Sequence, residues 1–332
     1  MLDFARSAAA PRIALACASA QLVLLLQTDV PHAAATATTA DIAPGVSLPL
    51  VTFGTSDVTD PALCELMANE AGVISFDTSI VYSNASHQCV RRALATRPRS
   101  DVFVTQKVHC SGFNLDGSTY PFSRREFDDL LQSSLDVLGA SHVDLLLMHW
   151  PCDALSDTLR AYSQLEAFAR RGHARAVGLS NTNLNWTRIV RSRASLVPAV
   201  SQCHFSVGSN YLSDHPPFSA AVLTMRGPDG SCGLDSDTIA SNVVTYMAYS
   251  PLRLTTSEWA APPLLRAAAA HGKSVAQVAL RWIVQQGVAV VTSSNSVAHV
   301  RESEDVVSFE LSAKEMRELS ALHSGMTVSE SS

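Results

Sequence analysis

Four residues whose side chains can move or orient a proton lie near the ends of apolar runs. Asp77 and Tyr82 are in FDTSIVYSN, Lys107 is in VTQKVH, and His149 is in DLLLMHWP. Each lies at or just past the end of a run that is typical of a buried strand. If these strand ends share one face of a sheet, the four side chains form a proton relay with the phenol as the proton donor.

Such a relay suits carbonyl reduction, because hydride addition to the carbon leaves a developing alkoxide that needs an acid. A free phenol has a pKa of about 10, and a cation within roughly 4–6 Å lowers such a pKa by about one to three units. We therefore expect Lys107 to lower the pKa of Tyr82. Asp77 is expected to pair with Lys107, and His149 to hydrogen-bond the carbonyl oxygen. Taken singly, each residue has a simpler explanation as a solvated, capping, surface or core side chain, but their joint order favours catalysis.

The elements that must position these residues are short apolar runs that alternate with amphipathic helical segments. The runs are nearly continuous in hydrophobicity, as in parallel strands that are buried on both faces. One helical segment ends at Gly172, a typical stop signal. Eight repeats predict an α/β fold, a single-domain (β/α)8 TIM barrel with its active site at the carboxyl ends of the strands. The predicted strands are 48–54, 73–79, 102–108, 143–150, 174–181, 198–205, 243–250 and 287–294.

Two predicted connections are longer than usual, at residues 109–122 and 208–238, and both are rich in turn-forming residues. Loops of this length are usually functional. Because loops after barrel strands build the active-site rim, we expect these two to shape a substrate pocket.

The amino-terminal stretch differs from the rest of the chain. Arg6 and Arg12 precede an apolar run at 13–26, and small residues follow it. This order is typical of a secretory signal or an organelle-import leader. The alternative is an alanine-rich extension without a targeting role, in a cytoplasmic protein. A membrane span needs about 20 apolar residues, so we expect no stable span. The predicted division is a leader at 1–44, a barrel at 45–325 and a tail at 326–332.

Composition argues against several classes of function. The 332-residue chain carries a net charge of −6 and no lysine- or arginine-rich run, so we expect no nucleic-acid partner. Its seven cysteines form no C-x-x-C pair and show no metal-ligand spacing, and we predict no metal site. Cysteine in an apolar context can be a small core residue. If the leader directs secretion, disulfides between some of these cysteines are an alternative that the sequence does not decide. We expect a monomer that acts on a small carbonyl substrate.

Over residues 45–322 the chain resembles the aldo-keto reductase family, whose tetrad is Asp, Tyr, Lys and His. The opening PGVSLPLVTFGTS is similar to the family's first-strand segment, and GLSNTN is similar to its nicotinamide-binding stretch. The resemblance implies reduction of aldehydes or ketones with NADPH or NADH. It implies that Ser180, Asn181 and Gln202 contact the nicotinamide carboxamide. Tyr249 in AYSPL is implied to stack on the nicotinamide ring, with Ser250 and Leu252 beside the cofactor.

The chain departs from the family pattern after the eighth strand. The family's Pro-Lys-Ser and its arginine and asparagine clasp the adenosine 2′-phosphate, whereas this chain reads TSSNSVAHVRES. Ser293 stands at the lysine position, Ser294 retains the serine, His299 stands at the arginine position and Ser303 at the asparagine position. Since charge-assisted contacts are about twice as strong as neutral ones, we expect relaxed or NADH-leaning cofactor use. Arg301 is expected to be able to turn toward the phosphate.

The predicted substrate pocket differs from that of many relatives. His109 replaces a tryptophan, Ser56 stands at a position that is often aromatic, and Trp150 completes the wall. These changes favour a small polar aldehyde or keto-sugar. A cofactor-binding regulatory barrel without significant turnover is the alternative function, as in relatives that serve as channel subunits. A hydrolytic barrel lacks support, because the sequence shows no metal cluster and no nucleophile motif.

Overall fold

Eight parallel strands close into a barrel in the computed structural model, which describes residues 37–113, 119–208 and 244–323. All eight predicted strands are confirmed, with bounds shorter by a few residues, and their order around the barrel follows the chain. The (β/α)8 prediction is therefore confirmed. The barrel strands are β3 (Val51–Gly54), β4 (Ser75–Asp77), β5 (Phe103–Val108), β8 (Val143–Met148), β9 (Ala174–Ser180), β10 (Val200–His204), β11 (Thr245–Tyr249) and β12 (Ala289–Thr292).

The continuous hydrophobicity of these strands follows from burial on both faces. In β8, Leu145, Leu146 and Leu147 are all fully buried, although neighbouring side chains along a strand point in opposite directions. One set packs toward the barrel interior and the other toward the surrounding helices. Each buried leucine side chain contributes about 1.5–3 kcal/mol, so the strands supply much of the folding free energy.

An antiparallel hairpin precedes the barrel, with β1 (Thr39–Ala43) paired to β2 (Val46–Pro49) across a turn. Gly45 occupies the turn with a φ of 72°, a conformation that favours glycine. Arg175, at the start of β9, donates to the Gly45 carbonyl and pairs with buried Asp144 at 2.8 Å. Residues 39–43 therefore belong to a folded hairpin, on the leader side of the boundary predicted at residue 44.

The helices around the barrel begin and end at recognisable signals. Ser123 and Ser274 each form a capping box with the glutamate or glutamine three residues later. Gly72 and Gly272 end their helices in the left-handed conformation. The helices are α1 (Leu63–Ala71), α2 (Asn84–Thr96), α3 (Arg124–Asp136), α4 (Leu155–Arg170), α5 (Leu184–Arg193), α6 (Thr256–Trp259), α7 (Pro262–His271), α8 (Val275–Val284), α9 (Val297–Glu304) and α10 (Ala313–His323).

The two long loops differ in what the structure describes. The connection predicted at 109–122 contains a short hairpin, β6 (Ser111–Phe113) with β7 (Thr119–Pro121). Most of the loop predicted at 208–238 lies outside the described residues, as do most of the leader and the whole tail. Within the described residues, no helix is both long enough and apolar enough to cross a bilayer.

Candidate active site

Three adjacent strands bring the four tetrad residues to one end of the barrel. Asp77 is the last residue of β4, Lys107 is the penultimate residue of β5, and His149 directly follows β8. The parallel register aligns Asp77 with Thr105, and Lys107 with Leu147. Tyr82 follows in the turn that leads into α2. All four side chains therefore lie at the carboxyl end of the sheet, as the sequence predicts.

Asp77 and Lys107 form a buried ion pair beneath the site. Their exposed fractions are only 2% and 1%, so neither charge is solvated by bulk water. The second Asp77 oxygen, Oδ2, accepts a hydrogen bond from Gln202 Nε2 at 2.8 Å. Burial lowers the pKa of Lys107, but the interactions with Asp77 and Tyr82 outweigh burial and raise the pKa above its ordinary value, so this side chain is a cation at neutral pH.

Tyr82 is half-buried over this cation, with Lys107 Nζ 5.4 Å from the centre of its ring. Burial raises the pKa of Tyr82, the charge of Lys107 lowers it, and Asp77 raises it again. The balance leaves the pKa above its ordinary value. The prediction that Lys107 lowers the pKa of Tyr82 agrees with the direction of the Lys107 contribution, but burial and Asp77 outweigh it because both disfavour the phenolate.

His149 is held at the edge of the tetrad by contacts on several sides. Its backbone N–H donates to the Val108 carbonyl at 2.7 Å, and its Nδ1 lies 2.9 Å from Ser79 Oγ. The imidazole stacks on Trp150 with 3.7 Å between ring centres and lies edge-on to Tyr82 at 5.9 Å. Burial lowers the pKa of His149 well below its ordinary value, helped by Lys107 and His109, so the ring is neutral.

The residues predicted to hold a nicotinamide carboxamide border this tetrad and bond to one another. Asn181 has a φ of 53°, and its Nδ2 donates to the His149 carbonyl at 2.9 Å. Asn181 Oδ1 accepts from the Tyr249 hydroxyl at 2.9 Å, and Ser180 Oγ donates to the Gln202 carbonyl at 3.0 Å. The structure therefore brings these four polar residues together across β9, β10 and β11.

Ser250 and Leu252 follow Tyr249 in the turn after β11. Ser250 has a φ of 52°, and its carbonyl accepts from Arg253 N–H at 3.1 Å. Ser250, Leu252 and Arg253 are each partly exposed at the carboxyl end of the barrel. Their position is consistent with the predicted contact with cofactor.

The region predicted to meet an adenosine 2′-phosphate is only partly exposed, because Ser303 is buried and its hydroxyl donates to the His299 carbonyl at 3.1 Å. Ser294 Oγ lies 3.4 Å from His299 Nδ1 and accepts from Ser296 N–H at 3.1 Å, while Ser293 is exposed. Ser296 caps helix α9. Arg301 does not face this region, because its Nε donates to the Glu70 carbonyl at 2.9 Å. The expectation that Arg301 is available to a phosphate is not supported.

The predicted pocket wall is more aromatic than its sequence suggests. His109 packs against Phe122 with 5.5 Å between ring centres, and burial lowers the pKa of His109. A neutral imidazole on a phenyl ring presents a less polar surface than a charged one. Trp150, the other predicted wall residue, stacks on His149.

Sequence comparison identifies the family to which this arrangement belongs. A sequence model of the Aldo/keto reductase family matches residues 57–215 and 239–324, well over half of the chain. This chain belongs to the aldo/keto reductase family. An aldo-keto reductase of Mycobacterium avium is 30% identical over 283 residues, which cover 84% of this chain and 88% of the relative.

Solved structures of aldo-keto reductases share the fold. The Brucella melitensis aldo/keto reductase aligns with a TM-score of 0.65 at 20% identity, covering 86% of this chain and 98% of that one. The Bombyx mori enzyme, determined in complex with NADP, aligns with a TM-score of 0.68 at 21% identity, covering 88% and 94%. Membership of this family makes the chain an oxidoreductase of the carbonyl-reducing kind, and aldo-keto reductases generally use NAD(P)H.

Several features of this aldo-keto reductase were not predicted from sequence. Ser79, in the stretch between Asp77 and Tyr82, contacts His149, and His87 Nε2 donates to the Ser79 carbonyl at 2.9 Å. Disulfides join Cys64 to Cys89 and Cys110 to Cys152, at sequence separations of 25 and 42. The position of Ser79 between Asp77 and Tyr82 was a signal from which its contact with the tetrad could have been predicted. No sequence signal identified the cysteine pairs, because seven cysteines allow many pairings.

Proposed function

We propose that this chain reduces an aldehyde or ketone to an alcohol with Tyr82 as the general acid. The observation that carries the proposal is the buried Asp77–Lys107 ion pair beneath the Tyr82 ring. A fixed cation beside a neutral phenol is arranged to stabilise the phenolate that remains after proton transfer. Because the pKa of Tyr82 is raised, the phenol is fully protonated and ready to donate at neutral pH.

The remaining residues orient the reacting groups. Asp77 holds the Lys107 ammonium, and neutral His149 donates a hydrogen bond to the carbonyl oxygen, which places that oxygen near the Tyr82 hydroxyl. Ser180, Asn181 and Gln202 provide amide and hydroxyl groups that fit a nicotinamide carboxamide, and Gln202 Oε1 has no hydrogen-bond partner among the described residues. A bound NADH or NADPH supplies the hydride. The half-buried Tyr249 ring provides a surface on which the nicotinamide can stack.

Cofactor choice in this proposal is relaxed or favours NADH. Ser293 and His299 stand where the family has a lysine and an arginine, and Arg301 is bound to Glu70. Each lost charge-assisted hydrogen bond removes about 1.5–3 kcal/mol, which is roughly 10- to 100-fold in affinity. A preference for NADPH over NADH greater than about 100-fold would contradict this assignment.

The decisive experiment compares the full-length chain with its Tyr82→Phe variant. Dissociation constants for NADH and NADPH come from fluorescence titration, and turnover comes from oxidation of each cofactor with a panel of small aldehydes and ketones. Loss of a general acid should lower turnover by about 10²–10⁴-fold with little change in cofactor affinity. Cofactor binding without turnover on any substrate would support the regulatory barrel instead, and binding of neither cofactor would refute both functions.

A targeting role for the amino-terminal leader is part of the same proposal. Disulfides persist in oxidising compartments, and the described residues contain two of them, Cys64–Cys89 and Cys110–Cys152. This supports a secretory destination over a cytoplasmic one. Peptide mapping of the non-reduced protein from its natural host should recover both linked peptide pairs and a shortened amino terminus. Reduced cysteines with the leader intact would refute secretion.

A further inference from the structure

Ser79 is a buried residue in the turn between Asp77 and Tyr82, and its hydroxyl faces His149. Three groups surround Ser79 Oγ: His149 Nδ1 at 2.9 Å, the Lys107 carbonyl at 3.2 Å and the Val81 N–H at 3.4 Å. Its backbone carbonyl accepts from Tyr82 N–H at 3.0 Å and from His87 Nε2 at 2.9 Å. Five contacts therefore fix this serine between the predicted acid and the predicted substrate-orienting histidine.

The direction of the Ser79–His149 hydrogen bond decides where the imidazole carries its proton. A serine hydroxyl has one hydrogen to donate. Two acceptors compete for it, and His149 Nδ1 at 2.9 Å lies closer than the Lys107 carbonyl at 3.2 Å. An imidazole nitrogen is also a stronger base than an amide oxygen. Val81 N–H donates into the same hydroxyl oxygen and occupies one of its lone pairs. These contacts direct the hydroxyl hydrogen to His149 Nδ1.

A neutral imidazole that accepts at Nδ1 carries its hydrogen on Nε2. His149 is neutral because its buried ring is disfavoured as a cation. Among the described residues, no group is hydrogen-bonded to His149 Nε2. The N–H at this position is thus available to a ligand, whereas the opposite tautomer would present only a lone pair, which repels a carbonyl oxygen.

We propose that Ser79 is a positioning residue that holds His149 in the Nε2–H tautomer and thereby makes it a donor to the substrate carbonyl. This inference rests on the proposed function for the role of His149, but the tautomer itself is independent of turnover. Ser79 acts through His149 alone and does not touch the reacting atoms.

The test reads the tautomer directly in the full-length chain. Histidine labelled with ¹⁵N gives separate signals for protonated and unprotonated ring nitrogens, and loss of one signal set in a His149→Asn variant assigns His149. The unmodified chain should show a protonated Nε2 and an unprotonated Nδ1. In Ser79→Ala the Nδ1–H form should become populated. A protonated Nδ1 in the unmodified chain, or an unchanged tautomer in Ser79→Ala, would overturn the proposal.

Kinetics supply a second readout. Removal of an oxyanion donor lowers kcat by about 10²–10³-fold, and Ser79→Ala should lower kcat by less, about 10-fold, because part of the population keeps the productive tautomer. In the His149→Asn background the same Ser79→Ala change should have no further effect. Thr78→Val is the matched control, since it removes a neighbouring buried hydroxyl that makes no hydrogen bond with the described residues and should change neither readout.

The two readouts separate failure of the inference from failure of the proposed function. An additive loss of kcat in the His149→Asn background would show that Ser79 does not act through the histidine. An unmodified chain without turnover, but with the expected tautomer change on Ser79→Ala, would refute carbonyl reduction and support the Ser79–His149 hydrogen bond.

Discussion

The tetrad and the region predicted to meet a 2′-phosphate lie in one barrel but differ in burial and hydrogen bonding. We call the second the 2′-phosphate region; its residues are Ser293, Ser294, His299 and Ser303. In the tetrad, Asp77 and Lys107 are almost fully buried, and both Asp77 oxygens are hydrogen-bonded. In the 2′-phosphate region, Ser293 and His299 are exposed, and the hydrogen bond between Ser294 and His299 is long at 3.4 Å. The first region is rigidly interlocked, and the second is loosely held.

This contrast shows which part of the site can change without loss of the fold. Removal of one partner from a buried ion pair leaves an uncompensated charge and costs about 3–5 kcal/mol. Exposed substitutions away from such features usually change stability by less than about 0.5 kcal/mol. Asp77 and Lys107 can therefore only be kept or lost together, whereas exposed positions such as Ser293 and His299 can be substituted one at a time.

The largest expected effect is on the buried pair. Lys107→Met should lower the free energy of unfolding by about 3–5 kcal/mol, because Asp77 is left as an unpaired buried charge. The double variant Asp77→Asn with Lys107→Met should recover most of that loss, and neither protein should turn over substrate. Urea unfolding measures the stability. An unchanged unfolding midpoint in Lys107→Met would mean that the buried pair tolerates substitution as well as the exposed residues of the 2′-phosphate region do.

The next largest effect is expected from restoring the family's lysine and arginine at positions 293 and 299. Ser293→Lys and His299→Arg should each lower the dissociation constant for NADPH by about 10- to 100-fold, and the double variant by more, through new charge-assisted contacts with the 2′-phosphate. The constant for NADH should stay the same, since NADH lacks that phosphate. The pair Ser293→Met with His299→Gln adds similar length without charge and serves as the control. Equal tightening for both cofactors would show that the region does not meet the 2′-phosphate.

A smaller effect follows from the neutral histidine of the tetrad. Burial lowers the pKa of His149 well below its ordinary value, so the unfolded chain takes up a proton below about pH 6.5 that the folded chain does not. The stability that His149 contributes is present above that pH. It is lost as pH falls toward the lowered pKa, by at most about 1.4 kcal/mol per pH unit.

Urea unfolding from about pH 7.5 to about pH 5 tests this dependence. His149→Asn should flatten the profile in part, and burial of His109 contributes a further fall of the same sign. A profile that His149→Asn leaves unchanged would mean that His149 is solvated in the folded protein.

The smallest expected effect is at Arg301. Because this side chain is bound to the Glu70 carbonyl, Arg301→Ala should change the dissociation constant for NADPH by less than about threefold, and exposed ion pairs contribute at most about 1 kcal/mol to stability. Arg301→Lys keeps the charge and is the control. A tenfold or larger loss of NADPH affinity, with NADH affinity unaffected, would mean that Arg301 does contact the 2′-phosphate.

The barrel and the grouping of Asp77, Tyr82, Lys107 and His149 at one end of it could be predicted because both depend on local patterns. Apolar runs buried on both faces and glycine or serine signals at helix ends are readable without tertiary contacts. The four tetrad residues were readable because strand ends of a parallel barrel must share one face. The replacement of the family's lysine and arginine by Ser293 and His299 could likewise be read directly from the sequence.

What the sequence did not provide depends on contacts between distant residues. The direction of the Tyr82 pKa required the balance between burial, Lys107 and Asp77. The hydrogen bond from Gln202 to Asp77 joins residues 125 positions apart, and that from Arg301 to Glu70 joins residues 231 apart. Both partners of each contact are ordinary polar residues, so only the folded chain reveals that they meet.

In the proposed function, the Gln202 amide would link the cofactor site thermodynamically to Tyr82, the proposed acid. Its nitrogen holds Asp77, and its oxygen is the atom left to accept from a nicotinamide carboxamide. Any ligand that shifts this amide changes the solvation of Asp77, and through it the electrostatic potential at Lys107 and Tyr82. If a cofactor shifts this amide as proposed, reciprocity requires that protonation of the phenol and cofactor binding alter one another by the same coupling free energy.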